Sequence, residues 1–255
     1  MNVDLSNKVM VVTGADSGIG ADIVRLALES QARVVAVDIS PALEASTRGR
    51  LKHLADHVRF VVGDVASEQT HEEYTRAAYE SFGRIDVMVN NAAIGSTRRI
   101  HEAPPEEYDR ILNVNLKSLY WSARYVVPLM KKQGGGLILN TASISSVAGI
   151  PLQGVYAATK GAVAQLTRQM AIEYAPDNIR VNAVCPGTVD TPLLRKAAAE
   201  AGDPDAFLKM LADMHPIGRI AGPEEIAALF IYMASDWATF MTGSSVFIDG
   251  GFTAK

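Results

Sequence analysis

Short β-branched runs alternate with helical stretches along most of this chain, and this alternation constrains the fold more than any other feature of the sequence. The runs are apolar on nearly every residue, which is typical of strands buried on both faces of a parallel sheet covered by helices. Between the first two runs, apolar residues recur at helical spacing, at Ile19, Ile23, Leu26 and Ala27. We predict strands at Val9–Val12, Val34–Val37, Val58–Val62, Val87–Val89, Leu137–Leu139, Arg180–Val184 and Ser245–Ile248.

The pattern predicts an α/β fold, a doubly wound parallel (Rossmann) sheet with right-handed crossovers and helices on both faces. A single α/β domain can reach ~250 residues. No Pro/Gly/Ser-rich linker divides the chain, so we predict one domain over residues 1–255.

One segment breaks the strand–helix alternation. Residues 192–216 have helical apolar spacing but no strand, and they follow the sixth predicted strand. Ligands of this architecture bind at the carboxyl edge of the sheet, so we predict a mobile substrate lid here. A static pair of surface helices is the alternative. The apolar positions are Phe207, Leu208, Leu211 and Met214, which indicate either a partly apolar substrate or packing of the lid on the body.

Charge and composition exclude several classes of partner. The formal net charge of -4 comes from interspersed acids and bases, so we expect neither nucleic acid nor a membrane surface as partner. No apolar run approaches the ~20 residues that span a bilayer. Cys185 is the only cysteine, and a strand predicted from Val9 does not fit a signal peptide. We therefore expect a cytoplasmic protein, and we predict no metal site.

A glycine-rich turn, TGADSGIG, follows the first strand and opens a helix. The free N–H groups and the dipole of a helix N-terminus favour an anion, so this turn can hold the pyrophosphate of a dinucleotide. Its spacing is GxxxGxG rather than GxGxxG, and a tight strand-to-helix turn needs small residues in any case. Asp38 ends the second strand, 18 residues after Gly20, where an acid binds an adenosine ribose and repels a 2′-phosphate. A solvated aspartate at a strand end is the other interpretation.

Tyr156 and Lys160 lie four residues apart in a helical stretch, so their side chains share one face. A neighbouring ammonium favours the phenolate and lowers the tyrosine pKa, which makes the pair a candidate acid/base. The YxxxK pattern alone is common. Ser143 stands 13 residues before Tyr156, and Asn115 lies in NVNL within a long helical region.

Together these motifs resemble those of the classical short-chain dehydrogenases/reductases, from about Lys8 to Gly251. The matching pieces occur in order along the chain: TGADSGIG, Asp64-Val65, NNAA (Asn90 to Ala93), Asn115, Ser143, Tyr156/Lys160, PGTVDT (Pro186 to Thr191) and DGG (Asp249 to Gly251). Ala93 departs from the glycine usual in the family, and we expect its methyl group to narrow the space beside the cofactor.

The resemblance implies a catalytic role for four side chains. Tyr156 exchanges a proton with the substrate oxygen, and Ser143 hydrogen-bonds that oxygen. Lys160 binds the nicotinamide ribose and depresses the tyrosine pKa, while Asn115 holds a water in the proton relay. The expected cofactor-binding residues are Gly14, Ser17, Gly18, Ile19, Gly20, Asp38, Ile39, Asp64, Val65, Asn91, Tyr156, Lys160, Val189 and Thr191.

The cofactor is predicted to be NAD rather than NADP. Asp16 and Ile39 occupy positions near which NADP-preferring relatives tend to place Arg or Lys. With Asp38 they make an unfavourable field for a 2′-phosphate, so we expect NAD and an oxidising direction.

The expected substrate-binding residues are Ser143, Gln153 and Tyr156. Gln153 either faces the substrate or is an exposed loop amide. Arg98 and Arg99 follow the fourth strand and either attract a carboxylate or are ordinary surface arginines. We expect Cys185 to be a small buried core residue.

The sequence therefore favours an NAD-dependent oxidoreductase that interconverts a secondary alcohol and a ketone. An NADPH-dependent 3-oxoacyl thioester reductase is the nearer alternative, and a non-catalytic dinucleotide-binding scaffold or sensor is the more distant one. The resemblance also implies a homotetramer, with Pro223–Ser235 and Ser245–Ile248 at one interface.

Overall fold

The computed structural model of the protein describes residues 3–51 and 56–255. The strands are β1 Val9–Thr13, β2 Arg33–Asp38, β3 Val58–Val62, β4 Val87–Asn90, β5 Gly136–Thr141, β6 Ile179–Pro186 and β7 Ser245–Ile248. The helices are α1 Gly18–Glu29, α2 Leu43–Arg50, α3 Glu68–Phe82, α4 Pro105–Leu112, α5 Ser118–Lys132, α6 Gly154–Tyr174, α7 Pro192–Glu200, α8 Pro204–Asp213 and α9 Pro223–Ala234. Every predicted strand is confirmed, most of them one to three residues longer than predicted.

In the described part of the chain, seven strands form one parallel sheet in the order β3-β2-β1-β4-β5-β6-β7. The order reverses between β1 and β4. In sheets of this type, ligands bind in the crevice at the carboxyl ends of the strands, at the reversal point. The predicted doubly wound fold is thus confirmed.

Two apolar cores cover the two faces of the sheet. Along β1, Met10 and Val12 pack in the core that contains residues of α1 and α9, whereas Val11 packs in the core that contains residues of α3 and α5. This alternation follows from the two-residue period of a strand, and it explains why the central strands are apolar throughout.

The edge strands depart from the expected burial on both faces. All four residues of β7 are only half-buried, and in β3 the side chains of Arg59 and Val62 are exposed. An edge strand has a neighbour on one side alone, so its outer surface lacks a covering strand.

Residues 192–216 form two short helices and no strand, as predicted. Thr191 caps α7 by accepting from the Leu194 N–H at 3.4 Å, and Asp203 caps α8 by accepting from the Ala206 N–H at 3.0 Å. Arg195 donates two hydrogen bonds of 2.5 Å to Asp190, which ties α7 to the end of the preceding loop. Movement of these helices stays a prediction.

Among the residues described, none of the helices combines the length and apolar character required to cross a membrane.

Candidate active site

The glycine turn adopts a backbone that requires glycine at its critical positions. Gly14 and Gly18 have φ values of 67° and 55°, in the left-handed region. A Cβ on Gly20 would stand 1.9 Å from the Gly14 carbonyl oxygen, so no side chain fits there. Ser17, the N-cap of α1, makes no side-chain capping bond, and the first turn holds no acidic residue. The free backbone N–H groups in the first turn of α1 and the dipole of this helix therefore suit a pyrophosphate.

Asn91 supports the glycine turn from the neighbouring strand. Its Nδ2 donates to the Thr13 carbonyl at 3.0 Å and to the Gly14 carbonyl at 3.3 Å. The Thr13 hydroxyl in turn accepts from the N–H groups of Asn91 and Ala92. The structure thus brings Asn91 to the turn, and its expected contact with the cofactor stays a prediction.

Asp38 lies beside the glycine turn at the end of β2. Its two carboxylate oxygens accept from the Asp16 N–H at 3.0 Å and from the Ser40 N–H at 2.9 Å. Each oxygen retains a further lone pair for a ribose hydroxyl. The Asp16 carboxylate, which accepts a hydrogen bond from Ser46, lies in the same corner, and the Ile39 side chain is exposed. Two carboxylates here disfavour a further phosphate.

The turn after β3 contains Asp64 and Val65. Asp64 accepts from the Ala66 N–H at 2.9 Å and pairs with Arg110 at 2.7 Å. The buried Val65 is held through its carbonyl oxygen, which lies 2.8 Å from Nε2 of the buried His71.

His71 on α3 supports the turn after β3, although it was not among the residues predicted from the sequence. Its other ring nitrogen lies 2.8 Å from the Tyr74 hydroxyl, and burial lowers its pKa. No motif marks position 71. The available signal was a histidine three residues before a tyrosine on one helix face.

The three side chains predicted to act on the substrate oxygen and its proton lie together at the carboxyl end of β5. Ser143 and Tyr156 share a side-chain hydrogen bond. The Lys160 ammonium lies 5.5 Å from the centroid of the Tyr156 ring and donates to the Thr141 carbonyl at 2.7 Å. Ser143 also accepts from the Ser145 N–H at 3.1 Å. The proximity expected from the YxxxK spacing is therefore present.

The tyrosine pKa moves in the direction opposite to the sequence-based expectation. Burial raises the pKa of Tyr156, while the hydrogen bond with Ser143 opposes this rise. Burial also lowers the pKa of Lys160 to about 8. Desolvation disfavours both charged forms, the phenolate and the ammonium, and it is the largest cause of both pKa shifts. Burial therefore favours the neutral phenol of Tyr156 and lowers the pH at which Lys160 loses its proton.

Asn115 lies in a π-helical turn, Asn113–Lys117, rather than in a continuous α-helix. Its Oδ1 accepts from the Ile94 N–H at 2.9 Å, and its Nδ2 donates to the Ile94 carbonyl at 2.9 Å and to Thr159 at 3.2 Å. Both amide protons are thus used within the protein. The side chain holds the segment after β4 against α6, and its expected contact with a relay water stays a prediction.

The segment after β6 reaches the glycine turn. A Cβ on Gly18 would lie 3.0 Å from the Thr191 methyl group, so Thr191 lies directly against the turn. Val189 is buried and pairs with Ala221 as an isolated parallel bridge. Thr191 therefore lies beside the predicted cofactor turn, while the expected contacts of Val189 and Thr191 with the cofactor stay predictions.

His215, which was not among the residues predicted from the sequence, holds the segment that follows β6. It is buried, and its Nε2 accepts from the Thr188 N–H at 3.2 Å. It lies at the end of the lid segment, and no motif marks it in the sequence.

Gln153 is held at the start of α6. Its Oε1 accepts from the Ser145 hydroxyl at 2.8 Å, and its backbone pairs with Arg98 as a parallel bridge. Arg98 forms an ion pair with Glu107 at 3.0 Å, which compensates its charge. This pairing weakens the hypothesis that Arg98 attracts a carboxylate. Arg99 is exposed.

Two further expectations concern small residues near the site. Cys185 is buried, as predicted, and burial raises its thiol pKa to about 11, so it is unreactive at neutral pH. Ala93 does not adopt a positive φ, so the backbone accepts alanine in place of glycine there.

The sequence of the chain is similar to those of known oxidoreductases. A family model described as Enoyl-(Acyl carrier protein) reductase matches residues 14–253. The chain is 39% identical over 252 residues to an uncharacterized oxidoreductase of Thermotoga maritima, covering 99% of this chain and 100% of that protein. It is 36% identical to the 2-(R)-hydroxypropyl-CoM dehydrogenase of Xanthobacter autotrophicus, covering 97% and 99% of the two chains.

A solved structure is similar over its whole length. L-sorbose reductase from Gluconobacter frateurii, complexed with NADPH and L-sorbose, superposes with a TM-score of 0.94 at 35% identity and covers 100% of both chains.

Proposed function

Because the chain belongs to the classical short-chain dehydrogenase/reductase family, we propose that it is an NAD-dependent oxidoreductase that interconverts a secondary alcohol and a ketone. One observation carries this proposal: the Tyr156 phenol shares a hydrogen bond with Ser143, and the Lys160 ammonium lies 5.5 Å from the centroid of the Tyr156 ring. This arrangement lies at the sheet edge that also carries the glycine turn. It supplies a proton carrier beside a dinucleotide-binding site.

The residues of the cofactor side fit a dinucleotide. The left-handed glycines and the uncapped N-terminus of α1 suit its pyrophosphate. Asp38 suits the adenosine ribose, and the segment Val189–Thr191 suits the nicotinamide end. When bound, the nicotinamide accepts or donates a hydride at the reacting carbon.

The side chains of the chain itself manage the substrate oxygen and its proton. The Ser143 hydroxyl positions the substrate oxygen. During alcohol oxidation Tyr156 acts as the phenolate, whose oxygen takes the alcohol proton, and during ketone reduction it acts as the phenol and gives that proton to the substrate oxygen. Lys160, whose pKa is lowered to about 8, is still mainly the ammonium at pH 7. Its attraction for a developing phenolate is greatest when the oxygen of Tyr156 carries charge, so it favours the transferring state.

The preference for NAD rests on the corner formed by Asp16 and Asp38. We expect both carboxylates to lie close to the 2′ position of the adenosine ribose, where their negative charge repels a 2′-phosphate. The L-sorbose reductase that shares this fold is complexed with NADPH. The same corner disfavours the NADPH-dependent 3-oxoacyl thioester reductase alternative.

We further propose that the protein assembles as a homotetramer through α9 and β7. Tyr232, Trp237 and Phe240 are exposed near these elements, and Phe240 is fully exposed. These side chains lie within nine residues of one another in the sequence, and contiguous patches of exposed apolar side chains mark association surfaces.

The first experiment is a titration of the purified protein with NADH and with NADPH, followed by nucleotide fluorescence. We expect tight binding of NADH and weak binding of NADPH. Equal or reversed affinities would overturn the assignment of NAD. A screen of secondary alcohols with NAD⁺ then compares the wild type with Tyr156→Phe. The variant is expected to lose about 100-fold or more in turnover while it binds NADH normally. Unchanged turnover overturns the catalytic assignment.

A further inference from the structure

Leu152 has an unusual backbone conformation for its residue type. Within residues 3–51 and 56–255, three non-glycine residues have a positive φ: Gln31 at 70°, Leu152 at 66° and Asn178 at 57°. Asparagine tolerates this region, whereas leucine meets a steric clash between its Cβ and the backbone.

The turn that contains Leu152 is of a type that favours glycine. The Gln153 N–H donates to the Ile150 carbonyl at 3.2 Å, with Pro151 and Leu152 as the two central residues. A turn with proline first and a positive φ second is typically completed by glycine. The sequence instead places a bulky aliphatic residue there.

Burial does not explain this leucine, because 49% of its surface is exposed. A glycine would adopt the same backbone without a steric clash. Strained residues of this kind cluster where a ligand binds. The side chain itself is therefore the feature to be explained.

The turn leads directly into the catalytic helix α6. Leu152 precedes Gln153, which is bound to Ser145 at 2.8 Å and paired with Arg98. Tyr156 follows one helical turn later. Leu152 thus lies at the rim of the active site rather than on a remote surface.

Two other exposed aliphatic side chains belong to or contact the segment after β4, which pairs with Gln153 through Arg98. The Cβ of Ile100 lies 3.0 Å from the position that a Gly154 Cβ would take, and Ile100 is 58% exposed. Leu193, on α7, lies 3.8 Å from the corresponding position on Gly95, and it is 49% exposed. We call Ile100, Leu152 and Leu193 the aliphatic rim.

We infer that the aliphatic rim binds the hydrocarbon part of the substrate and that Leu152 determines this specificity. The substrate class is then a secondary alcohol or ketone with an alkyl or alicyclic substituent, not a polyol. This inference rests on the proposed function, because it assumes that the reacting carbon lies at Tyr156.

The test measures binding without turnover. The protein–NADH complex is titrated with 2-propanol, 2-butanol, 2-hexanol and 2-octanol, and NADH fluorescence is followed. Alcohol and NADH are both reduced, so no hydride moves. Full burial of one methylene is worth about a fourfold change in Kd, and we expect about two- to threefold per methylene at a half-open rim.

Three variants separate the side chain from the backbone. Leu152→Gly is expected to reduce the ratio of the 2-propanol and 2-octanol Kd values by about tenfold, at unchanged or higher thermal stability. Leu152→Met retains the dependence on chain length. Gln31→Gly relieves the same type of backbone strain at the far end of α1 and leaves the Kd ratio unchanged.

Several outcomes overturn the inference: no chain-length dependence in the wild type, the same dependence in Leu152→Gly, or a lower stability of that variant. Parallel turnover assays with NAD⁺ keep the two proposals apart. If 2-alkanols bind with the expected dependence but no alcohol is oxidised, the proposed function fails. If sorbitol is oxidised and 2-alkanols do not bind, the function stands and the aliphatic rim is not a substrate site.

Discussion

The backbone N–H of Asp16 donates to a carboxylate oxygen of Asp38 at 3.0 Å, and this bond ties the glycine turn to the end of β2. The other carboxylate oxygen accepts from the Ser40 N–H at 2.9 Å. Asp38 therefore has a structural role besides the proposed selection of the cofactor. Any test of cofactor preference must preserve these two hydrogen bonds as far as it can.

The first prediction concerns cofactor preference. Asp38→Asn combined with Ile39→Arg is expected to raise the affinity for NADPH relative to NADH by about 100-fold, because a repelling charge is replaced and an attracting one is added. Asparagine retains one of the two oxygen acceptors and so preserves one of the two hydrogen bonds, whereas Asp38→Ala leaves both N–H groups unpaired, each at a cost of about 1–3 kcal/mol. Fluorescence titrations with both nucleotides measure the ratio. Ile39→Arg alone is the control, with a smaller expected change, and an unchanged ratio in the double variant contradicts the account.

The second prediction concerns the stability cost of Lys160. Its pKa is lowered from 10.5 to about 8 by burial, which corresponds to about 3 kcal/mol against the charged form. Lys160→Met is expected to raise the free energy of unfolding at pH 7 by about 1–2 kcal/mol, since the Thr141 carbonyl also loses its donor. Turnover is expected to fall at the same time. Chemical denaturation measures the first effect, and alcohol oxidation measures the second.

The gain in the free energy of unfolding expected for Lys160→Met depends on pH, because burial lowers the pKa of Lys160 in the folded protein. Below pH 8 both the folded and the unfolded wild type carry the Lys160 proton, so the full cost is present. Between pH 8 and pH 10.5 the folded protein has released that proton and the unfolded chain still holds it, so wild-type stability rises. The advantage of Lys160→Met therefore shrinks across this window. Lys132→Met, at an exposed position, serves as the control and should show no such trend. A pH-independent difference would contradict the assignment.

Much of the fold could be predicted because the strands repeat a simple pattern. Runs such as Val9–Val12 are apolar at every position, and a strand buried on both faces has no other stable location than the middle of a covered sheet. The edge strands β3 and β7 were identified by their β-branched residues, but their exposure depends on neighbours that the sequence pattern does not specify.

The positions of the catalytic candidates could also be predicted, but their protonation behaviour could not. Spacing alone places Tyr156 and Lys160 on one helix face, and the structure has them there. The expectation that the tyrosine pKa falls was based on the neighbouring ammonium and did not include desolvation. Desolvation depends on how many atoms of other elements surround the phenol. That quantity is a property of the tertiary structure.

Leu152 and His215 had no recognisable signal in the sequence, and the only signal of His71 was its spacing from Tyr74. The two histidines act through backbone atoms, those of Val65 and Thr188. A hydrogen bond to a backbone atom does not depend on the residue type of the partner, so the sequence does not reveal it. Leu152 is informative only because its φ is 66°, which residue identity does not reveal.

The third prediction concerns His71 and acid stability. Burial lowers its pKa below the ordinary value of 6.5. As the pH falls below about 6.5 the unfolded chain takes up a proton that the folded protein resists, so the stability contributed by neutral His71 is lost. His71→Gln is expected to cost about 1–3 kcal/mol at pH 8, and this difference narrows as the pH falls towards 5. Urea denaturation over a pH series measures it.

A matched control for His71 is His101→Gln, because His101 is largely exposed. That variant is expected to leave the pH profile of stability nearly unchanged. We also expect His71→Gln to weaken NADH binding a few-fold, because the Val65 carbonyl loses its histidine donor. A constant stability difference between wild type and His71→Gln from pH 5 to pH 8 would contradict a neutral, buried imidazole.

The last prediction concerns His215, which joins the segment after β6 to the end of β7. Its Nε2 accepts from the Thr188 N–H at 3.2 Å, so the ring proton is on Nδ1, which donates to the Asp249 carbonyl at 2.6 Å. His215→Phe keeps a ring of similar size beside Phe252 but removes these two hydrogen bonds and the 2.9 Å contact between Nε2 and the Thr188 hydroxyl. We expect about a tenfold higher Kd for NADH and a loss of about 1–3 kcal/mol in stability. Fluorescence titration and hydrogen exchange of residues 186–191 measure these effects.

Phe252→Leu separates positioning from packing at this place. It removes the ring contact, which has a centroid separation of 5.6 Å, and leaves the hydrogen bonds of His215 intact. It is expected to lower stability without changing NADH affinity or the exchange of residues 186–191. If His215→Phe and Phe252→Leu weaken NADH binding equally, His215 contributes packing alone. If only His215→Phe weakens NADH binding, the hydrogen bonds of the imidazole hold the segment that carries Val189 and Thr191 in its binding position. This conclusion follows because both variants disturb the packing, whereas only His215→Phe removes the hydrogen bonds.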